Sequence, residues 1–322
     1  MRRSIAADFQ NVEGTDVIMT LDERFAGEEN PGRVVLVGKG REEAALFALA
    51  SQCDDTVLIA PETGGVLADR AALLARSGGR SLGSSPAAIA LCTDKKRLAE
   101  HLIRHGIRTP RTACFDHREG LPGSWEYPIV FKPIDGAGAM DTYLLDRPDR
   151  LSFAHPLPRE MLIQPYVHGR PLSASFLVGP RGDIHLLGVG QQTIEIRERR
   201  IHYQGGRLGA VADSGIDVEE PRRAVSAVAG LRGFVGVDFI WNDETGLAHV
   251  IEINPRPTTS YVGLSRLHRP GTVARAWLSA VRGDPSTADV AALLSHPSLK
   301  PIRFLPDGSV IEEIGAIGGN DA

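Results

Sequence analysis

Two stretches of the chain gather side chains able to handle phosphate and a divalent cation. In the first, Ile129-Val130-Phe131 runs into Lys132-Pro133-Ile134-Asp135 and then Gly136-Ala137-Gly138-Ala139. The apolar run reads as a strand, so a lysine is delivered by a strand and a loop of small residues follows at once. Gly136 and Gly138 tolerate positive φ and leave backbone N–H groups uncovered, so the loop can fold over a polyphosphate. Lys132 would then add a point charge against the same phosphates. The GxxxxGK[ST] order is missing, so this is not a Walker loop. Taken alone, a Gly-Ala-Gly turn is also read as nothing more than a tight turn.

The second stretch sets Val235-Gly236-Val237-Asp238-Phe239-Ile240-Trp241 before His249-Val250-Ile251-Glu252-Ile253-Asn254-Pro255-Arg256. Period-two alternation puts Glu252 and Asn254 on one face and Ile251 and Ile253 on the other, with Asp238 opposite Val237 and Phe239. If the two strands form a hairpin, Asp238, Glu252 and Asn254 converge. Three hard oxygen donors of this kind suit Mg²⁺, with substrate phosphates completing the shell. Arg256 would sit beside it, able to stabilise charge on a transferring phosphoryl group. The competing reading is a solvated acidic face on an edge hairpin.

The elements that must position these residues fall into two regions. Over the first hundred residues, short apolar runs (Val17-Ile18-Met19, Val34–Val37, Thr56–Ala60) alternate with helical stretches at Arg41–Ser51 and Leu67–Arg76. That pattern predicts a parallel α/β layer. One helix is expected from about Pro86 to Gly106, carrying Asp94-Lys95-Lys96, with Ser84-Ser85 read as its N-cap rather than as a nucleophile. After Pro110 most segments read as strands joined by turns: Pro128–Phe131, Met161–Gln164, Ser173–Val178, Ile184–Val189, Phe234–Trp241 and His249–Ile253. Helices are expected at Glu219–Leu231 and Val273–Val281, and a short strand at Ser309–Ile311. The whole is a small α/β unit followed by an α+β unit built on antiparallel sheet.

Bulk properties exclude several classes. The chain has 322 residues, 42% hydrophobic and 24% charged, with 36 basic against 40 acidic side chains, so no basic surplus recommends nucleic acid. No apolar run approaches the roughly 18–20 residues that cross a bilayer. Met1 to Asp8 holds too short an apolar stretch for a secretory signal. Cys53, Cys92 and Cys114 are odd in number with no CxxC, which predicts buried small hydrophobes in a reducing cytoplasm. His101 and His105, four apart without the glutamate of an HExxH pattern, read as a surface pair. Lysine is scarce beside arginine, so Lys95 and Lys132 carry slightly more information than usual.

The order of the pieces says more than any one of them. Asp94-Lys95-Lys96, then the Phe131-Lys132-Pro133 strand with its glycine loop, Gln164-Pro165-Tyr166-Val167-His168-Gly169, Gly236-Val237-Asp238-Phe239 and Ile251-Glu252-Ile253-Asn254-Pro255-Arg256 together resemble the ATP-grasp superfamily. The resemblance implies ATP between two α+β lobes, preceded by a small Rossmann-like domain that helps bind the acceptor. It implies nucleotide contacts from Lys95 and Lys132, a phosphate loop of Gly136, Ala137, Gly138 and Ala139, and an adenine hinge of Gln164, Tyr166 and Val167. Asp238, Glu252 and Asn254 would ligate two magnesium ions, for which manganese can substitute, and Arg256 and Lys132 would be catalytic. The family's frequent G-x-E-x-S after the hinge is here Gly169-Arg170-Pro171-Leu172-Ser173, so the ribose contact stays unassigned.

Leu58–Thr63, Leu82–Ser85, Gly190–Ile194, Tyr203–Gly206 and Asn254–Ser260 further resemble the tyramine–glutamate ligase group. That group opens with a strand and long loop before the helix matched by Ser4–Phe9, which leaves the first domain without its first strand or its start upstream. The resemblance implies a carboxylate–amine ligase acting through an acyl phosphate, with glutamate as the acid and a tyramine- or tyrosine-like amine. Glu62, Gln191, Tyr203 and Arg256 become the substrate candidates. The rival readings are a phosphotransferase or carboxylase on the same fold, and a nucleotide-binding protein without chemistry. The expected layout is residues 1–90 for the first domain and 91–285 for the ATP-grasp domain, with lobes at about 109–166 and 167–285. Residues 286–322 would pack on the large lobe. Partners are expected to be small molecules and, as an open possibility, a second copy of the chain, with no nucleic acid or membrane.

Overall fold

The computed structural model describes residues 1–115, 125–136, 138–147, 161–209, 215–283, 289–295, 297 and 300–312. The chain opens with helix α1 (Arg2–Gln10), then strands β1 (Ile18–Asp22) and β2 (Arg33–Val37), which pair in parallel. Helices α2 (Glu42–Ala50) and α3 (Val66–Arg76) follow. The run Thr56–Ala60, expected as a third strand, makes only one parallel bridge, Thr56 to Ser81. Its residues Leu58 and Ala60 instead pack beneath α3 and Ile89.

The helix expected over 86–106 is two helices, α4 (Pro86–Thr93) and α5 (Lys95–Arg104). Asp94 between them has extended backbone, and its carboxylate accepts from the N–H groups of Lys96 and Arg97. An aspartate competes with the helix for its own backbone donors, which makes it a cap rather than an interior residue. The break puts Lys95 at the first position of a new helix. Ser85 caps α4 by accepting from Ala88 N–H, with Pro86 at the first helical position.

The rest of the molecule is built on antiparallel pairing. Its strands are β3 (Ala113–Phe115), β4 (Ile129–Pro133), β5 (Tyr143–Leu145), β6 (Met161–Pro165), β7 (Arg170–Val178), β8 (Ile184–Arg197), β9 (Arg200–Leu208), β10 (Gly233–Asn242), β11 (Leu247–Asn254), β12 (Ile302–Phe304) and β13 (Val310–Glu312). Among the described residues they join in the order β11-β10-β7-β8-β9-β5-β4-β6-β3, with β12 on β9 and β13 on β12. The sequence reading missed β3, β5, β9 and β12, and stopped β8 eight residues early. The β8–β9 ribbon carries Glu195, Arg197 and Arg200 among its outer residues and lacks the apolar density that marks a strand locally.

Helices α6 (Glu219–Ala227), α7 (Ser260–Leu267), α8 (Thr272–Arg282) and α9 (Val290–Leu294) complete the fold. The part of the sheet around β7 and β10 is covered on both faces. Leu177 and Phe234 face a cluster with α1, α7 and α8, while Phe176 and Val235 face another with α4, α5 and α6. This explains why β7 is buried almost continuously from Leu172 on rather than in alternation. His101 is not a free surface group, because its Nε2 lies 2.8 Å from the Ala227 carbonyl oxygen. Of the cysteines only Cys92 is buried; Cys114 is exposed and Cys53 intermediate.

Two long-range contacts lock the first ninety residues to the large lobe. Trp277 Nε1 donates to the Leu82 carbonyl at 2.8 Å, beside Gly233, whose φ is +68° and where any Cβ would collide with that same carbonyl. Asp8 on α1 is 4% exposed and accepts from Tyr261 Oη (2.8 Å), Gly271 N (2.6 Å) and Ala274 N (2.9 Å). It thereby caps the N-terminus of α8 from another helix. Burial raises its carboxyl pKa, opposed by these hydrogen bonds. Asp8→Ala would strand all three donors, and is expected to lower the unfolding free energy by about 3 kcal/mol. Urea denaturation followed by tryptophan fluorescence reads this, with Asp8→Asn recovering part of the loss; an unchanged midpoint in Asp8→Ala would contradict the assignment.

Candidate active site

The sheet order brings the two motif stretches together across a cleft of about 680 Å³ between the β4 to β6 strands and the β7 to β11 strands. β10 and β11 do form the hairpin: Asp238 lies opposite Glu252 and Gly236 opposite Asn254. A bulge between Asp238 and Phe239 then shifts the register, so that Phe239 pairs with Val250 and Ile251 is left over. Ile251, assigned by alternation to the far face, consequently lines the cleft beside Glu252.

The acidic residues are held by neighbours on three strands. Asp238 accepts from Gln192 Nε2 (2.9 Å, Oδ1) and from Asn254 Nδ2 (3.2 Å, Oδ2), and Ser173 opposite it on β7 also hydrogen-bonds its carboxylate. Glu252 Oε2 is 3.7 Å from Lys95 Nζ. Burial, then the charge of Glu252, pushes the Asp238 carboxyl strongly upward. Burial would raise Glu252 too, but Lys95, Lys132, a hydrogen bond with Asp238 and Arg256 hold it below the usual carboxylate range. The cluster is therefore short of positive charge next to Asp238.

That shortage fits a hard dication. Among the described residues no group of three or more His, Cys, Asp or Glu side chains is placed to hold a metal. The donors here are two carboxylates and an amide oxygen, which leave most of a Mg²⁺ shell to water and phosphate.

Lys132 on β4 is 6% exposed, and burial lowers its ammonium pKa to about 8, with Lys95 adding to the effect and Glu252 opposing it. Lys95 Nζ donates to the Gly136 carbonyl at 2.6 Å, and Lys95 N–H to the Ile134 carbonyl, so the start of α5 is fastened to the glycine loop twice. In that loop Gly136, Gly138 and Ala139 have φ of 109°, 70° and 58°, turning the chain through left-handed backbone. Ala137 lies outside the described residues. Tyr166 and Val167 line the cleft at the hinge, where Tyr166 N–H donates to the Pro128 carbonyl. Gln164 is buried at the same place, its amide donating to Thr112 Oγ1 at 2.6 Å.

The four substrate candidates are placed differently from one another. Tyr203 on β9 lines the cleft, its phenol pKa raised by burial and by Asp238. Gln191 lines it with its side chain exposed, while its neighbour Gln192, which the sequence reading passed over, holds Asp238. Arg256 lines it as well. Glu62 is not among the described residues of the cleft wall. It stands beside Arg256, with Oε1 3.2 Å from Arg256 Nε. Ser173, Gln192, Phe304 and Pro306 were all missed, because each reaches the cleft through strand pairings that leave no local signature.

The fold and this cleft define a nucleotide-handling class. The ATP-grasp domain family matches residues 92–260, and a pre-ATP-grasp domain matches 15–89. The chain belongs to the ATP-grasp family. Within it, the chain is similar to the tyramine–L-glutamate ligases of Methanocaldococcus fervens (32% identical over 212 residues, 66% of this chain and 61% of the relative) and Methanocaldococcus jannaschii (30%, 66% and 58%). The match thus spans about three-fifths of these relatives' length. In fold it is similar to L-amino acid ligase from Bacillus licheniformis, with a TM-score of 0.72 at 18% identity over 94% of this chain and 76% of that one. Among the described residues no helix is long and apolar enough to cross a membrane.

The lysine gives a pH test. Below about pH 8 Lys132 is charged in the free cleft; phosphate would raise its pKa on binding, so nucleotide binding takes up a proton above that pH. Mg·ADP affinity, measured by calorimetry, is expected to fall by up to about tenfold per pH unit above pH 8. Lys132→Met should bind more weakly at pH 7 and lose this slope; a slope that persists in the variant would assign the titration elsewhere.

Proposed function

We propose that this protein is an ATP- and Mg²⁺-dependent ligase joining a carboxylate to an amine, with release of ADP and phosphate. The observation that carries the reading is the convergence of Lys95, Lys132, Asp238, Glu252, Asn254 and Arg256 on one cleft. The names of the relatives suggest L-glutamate as the acid and tyramine, or a tyrosine-like amine, as the acceptor.

Lys132 and Lys95 would neutralise the β- and γ-phosphates beneath the loop at Gly136–Ala139. Tyr166 and Val167 would seat the adenine with Gln164. Asp238, Glu252 and Asn254 would hold two magnesium ions, or manganese in their place, which supply charge neutralisation on the transferring phosphoryl group. Arg256 would face the transferring phosphoryl group and orient the acid's carboxylate, which attacks the γ-phosphorus in line, and ADP leaves with the bond it breaks. The amine nitrogen then attacks the acyl carbon, phosphate departs, and the nitrogen's proton passes to solvent or to the phosphate. Gln191 and Tyr203 would border the amine. No protein nucleophile takes part, so the chain contributes positioning and charge. A cytoplasmic location and a homodimer belong to the same proposal.

The test is ADP release from Mg·ATP with L-glutamate alone, with L-glutamate plus tyramine or tyrosine, and with other acid–amine pairs. Turnover requiring an acid–amine pair, with an acyl phosphate trapped by hydroxylamine, is expected. Glu252→Gln should cost about 10³-fold in kcat. Retained turnover in that variant would overturn the metal assignment, and ADP formation without hydroxamate would favour transfer to another acceptor.

A further inference from the structure

Glu62 lies in the turn that follows Thr56–Ala60, outside the ATP-grasp domain, yet its carboxylate is buried against the cleft's arginine. The Glu62 and Arg256 side chains are 6% and 14% exposed. Glu62 Oε1 and Arg256 Nε face each other at 3.2 Å as a buried ion pair, and neither atom makes a hydrogen bond. On its other edge Arg256 Nη1 donates to the Pro257 carbonyl at 3.1 Å. The guanidinium is thus gripped at Nε by a charge and at Nη1 by the backbone.

The turn that carries Glu62 is itself fastened at both ends. Leu67 N–H donates to the Pro61 carbonyl, and Leu67 is buried with Ala71 and Ile89. Gly64, at φ 66°, donates its N–H to Asp135 Oδ2 at 2.8 Å. Asp135 immediately precedes the phosphate loop, and Thr63 Oγ1 approaches Gly136. One three-residue turn therefore touches the arginine and the phosphate loop together.

We propose that Glu62 is a positioning residue for Arg256, and that the Glu62–Gly64 turn sets the arginine's place relative to the phosphate loop. The proposal rests on the reading of Arg256 as the group facing the transferring phosphoryl. A buried carboxylate beside Nε, with Nη1 tied to the Pro257 carbonyl, holds the guanidinium in place electrostatically while Nη2 stays available to a ligand. Because the pair is buried, loss of Glu62 leaves an uncompensated cation that must find another partner, with Glu252 on the same side of the cleft available to it. The neutral isostere Glu62→Gln keeps the volume and removes the charge.

The experiment is a double-mutant cycle of Glu62→Gln and Arg256→Ala, read in two ways. The first is the ratio of Mg·AMP-PNP to Mg·ADP affinity by calorimetry, which reports contacts to the γ-phosphate and needs no turnover. The second is kcat, with KM for each substrate, for ADP release with L-glutamate and tyramine. Glu62→Gln is expected to lower the affinity ratio at least about threefold and kcat by about tenfold or more, with Mg·ADP affinity unchanged. In the Arg256→Ala background the same substitution should add nothing, because Glu62 acts through the arginine. Effects that multiply in the double variant, or a Glu62→Gln protein with ratio and kcat of the parent, would overturn the proposal. Absence of turnover by the parent with every acid–amine pair would instead overturn the ligase reading, and the affinity cycle still decides the role of Glu62. Glu62→Asp, shorter by one methylene, should fall between the two if reach to Nε is what matters.

Discussion

Lys95, Lys132, Asp238, Glu252 and Arg256 leave bulk water together, and none of them could do so alone. An isolated charge in so dry a place would cost several kcal/mol or would neutralise itself. Here Lys95 and Lys132 keep Glu252 ionised, and Asp238 is the member left without its share of positive charge. The rest of the molecule serves this cluster: the hairpin supplies the acids, β4 and α5 the lysines, and the residues after β11 the arginine. The imbalance leaves the cluster an unfinished structural network, which suits the phosphate and dication of the proposed reaction.

Such a cluster needs a scaffold that does not let the two sides drift apart. The sheet provides one route, since β5 pairs with β9 and links the strands bearing Lys132 to those bearing Asp238. Contacts distant in sequence provide the other. Lys95 is fastened to the glycine loop, Gly64 to Asp135 and Glu62 to Arg256, so the first ninety residues touch both walls of the cleft. Asp8 and the Leu82 carbonyl tie that first region to α8 as well. These contacts explain why a region with a two-stranded sheet and little core of its own is nevertheless fixed in place.

Much of this was legible in the residues themselves. The convergence of Asp238, Glu252 and Asn254 followed from alternation plus one assumption, the hairpin, because a side-chain period of two is a local property of extended backbone. The lysine ahead of a glycine loop, the Ser85 cap and the strands rich in Val, Ile and Phe were legible for the same reason. Alternation failed at Ile251, where a bulge inserts one residue and turns it toward the cleft. Nothing local marked Gln192 either, which meets Asp238 from a part of β8 that the sequence does not announce as strand. Composition also hid the break at Asp94, since a charged residue fits an exposed helix face as readily as a cap.

By itself, then, the sequence determined the inventory of chemistry: which lysines, carboxylates, amides and arginines stand in the motifs, their order, and the local elements that carry them. Those are short-range matters, set by backbone preference and side-chain type within a few residues. Tertiary structure alone decided that Gln192 and Ser173 hold Asp238, that Glu62 stands beside Arg256, and that Asp8 caps a helix more than 260 residues away. Each depends on strand register or on packing between segments far apart in the chain, where the energy comes from burying a pair of groups together and neither partner's neighbourhood records the other.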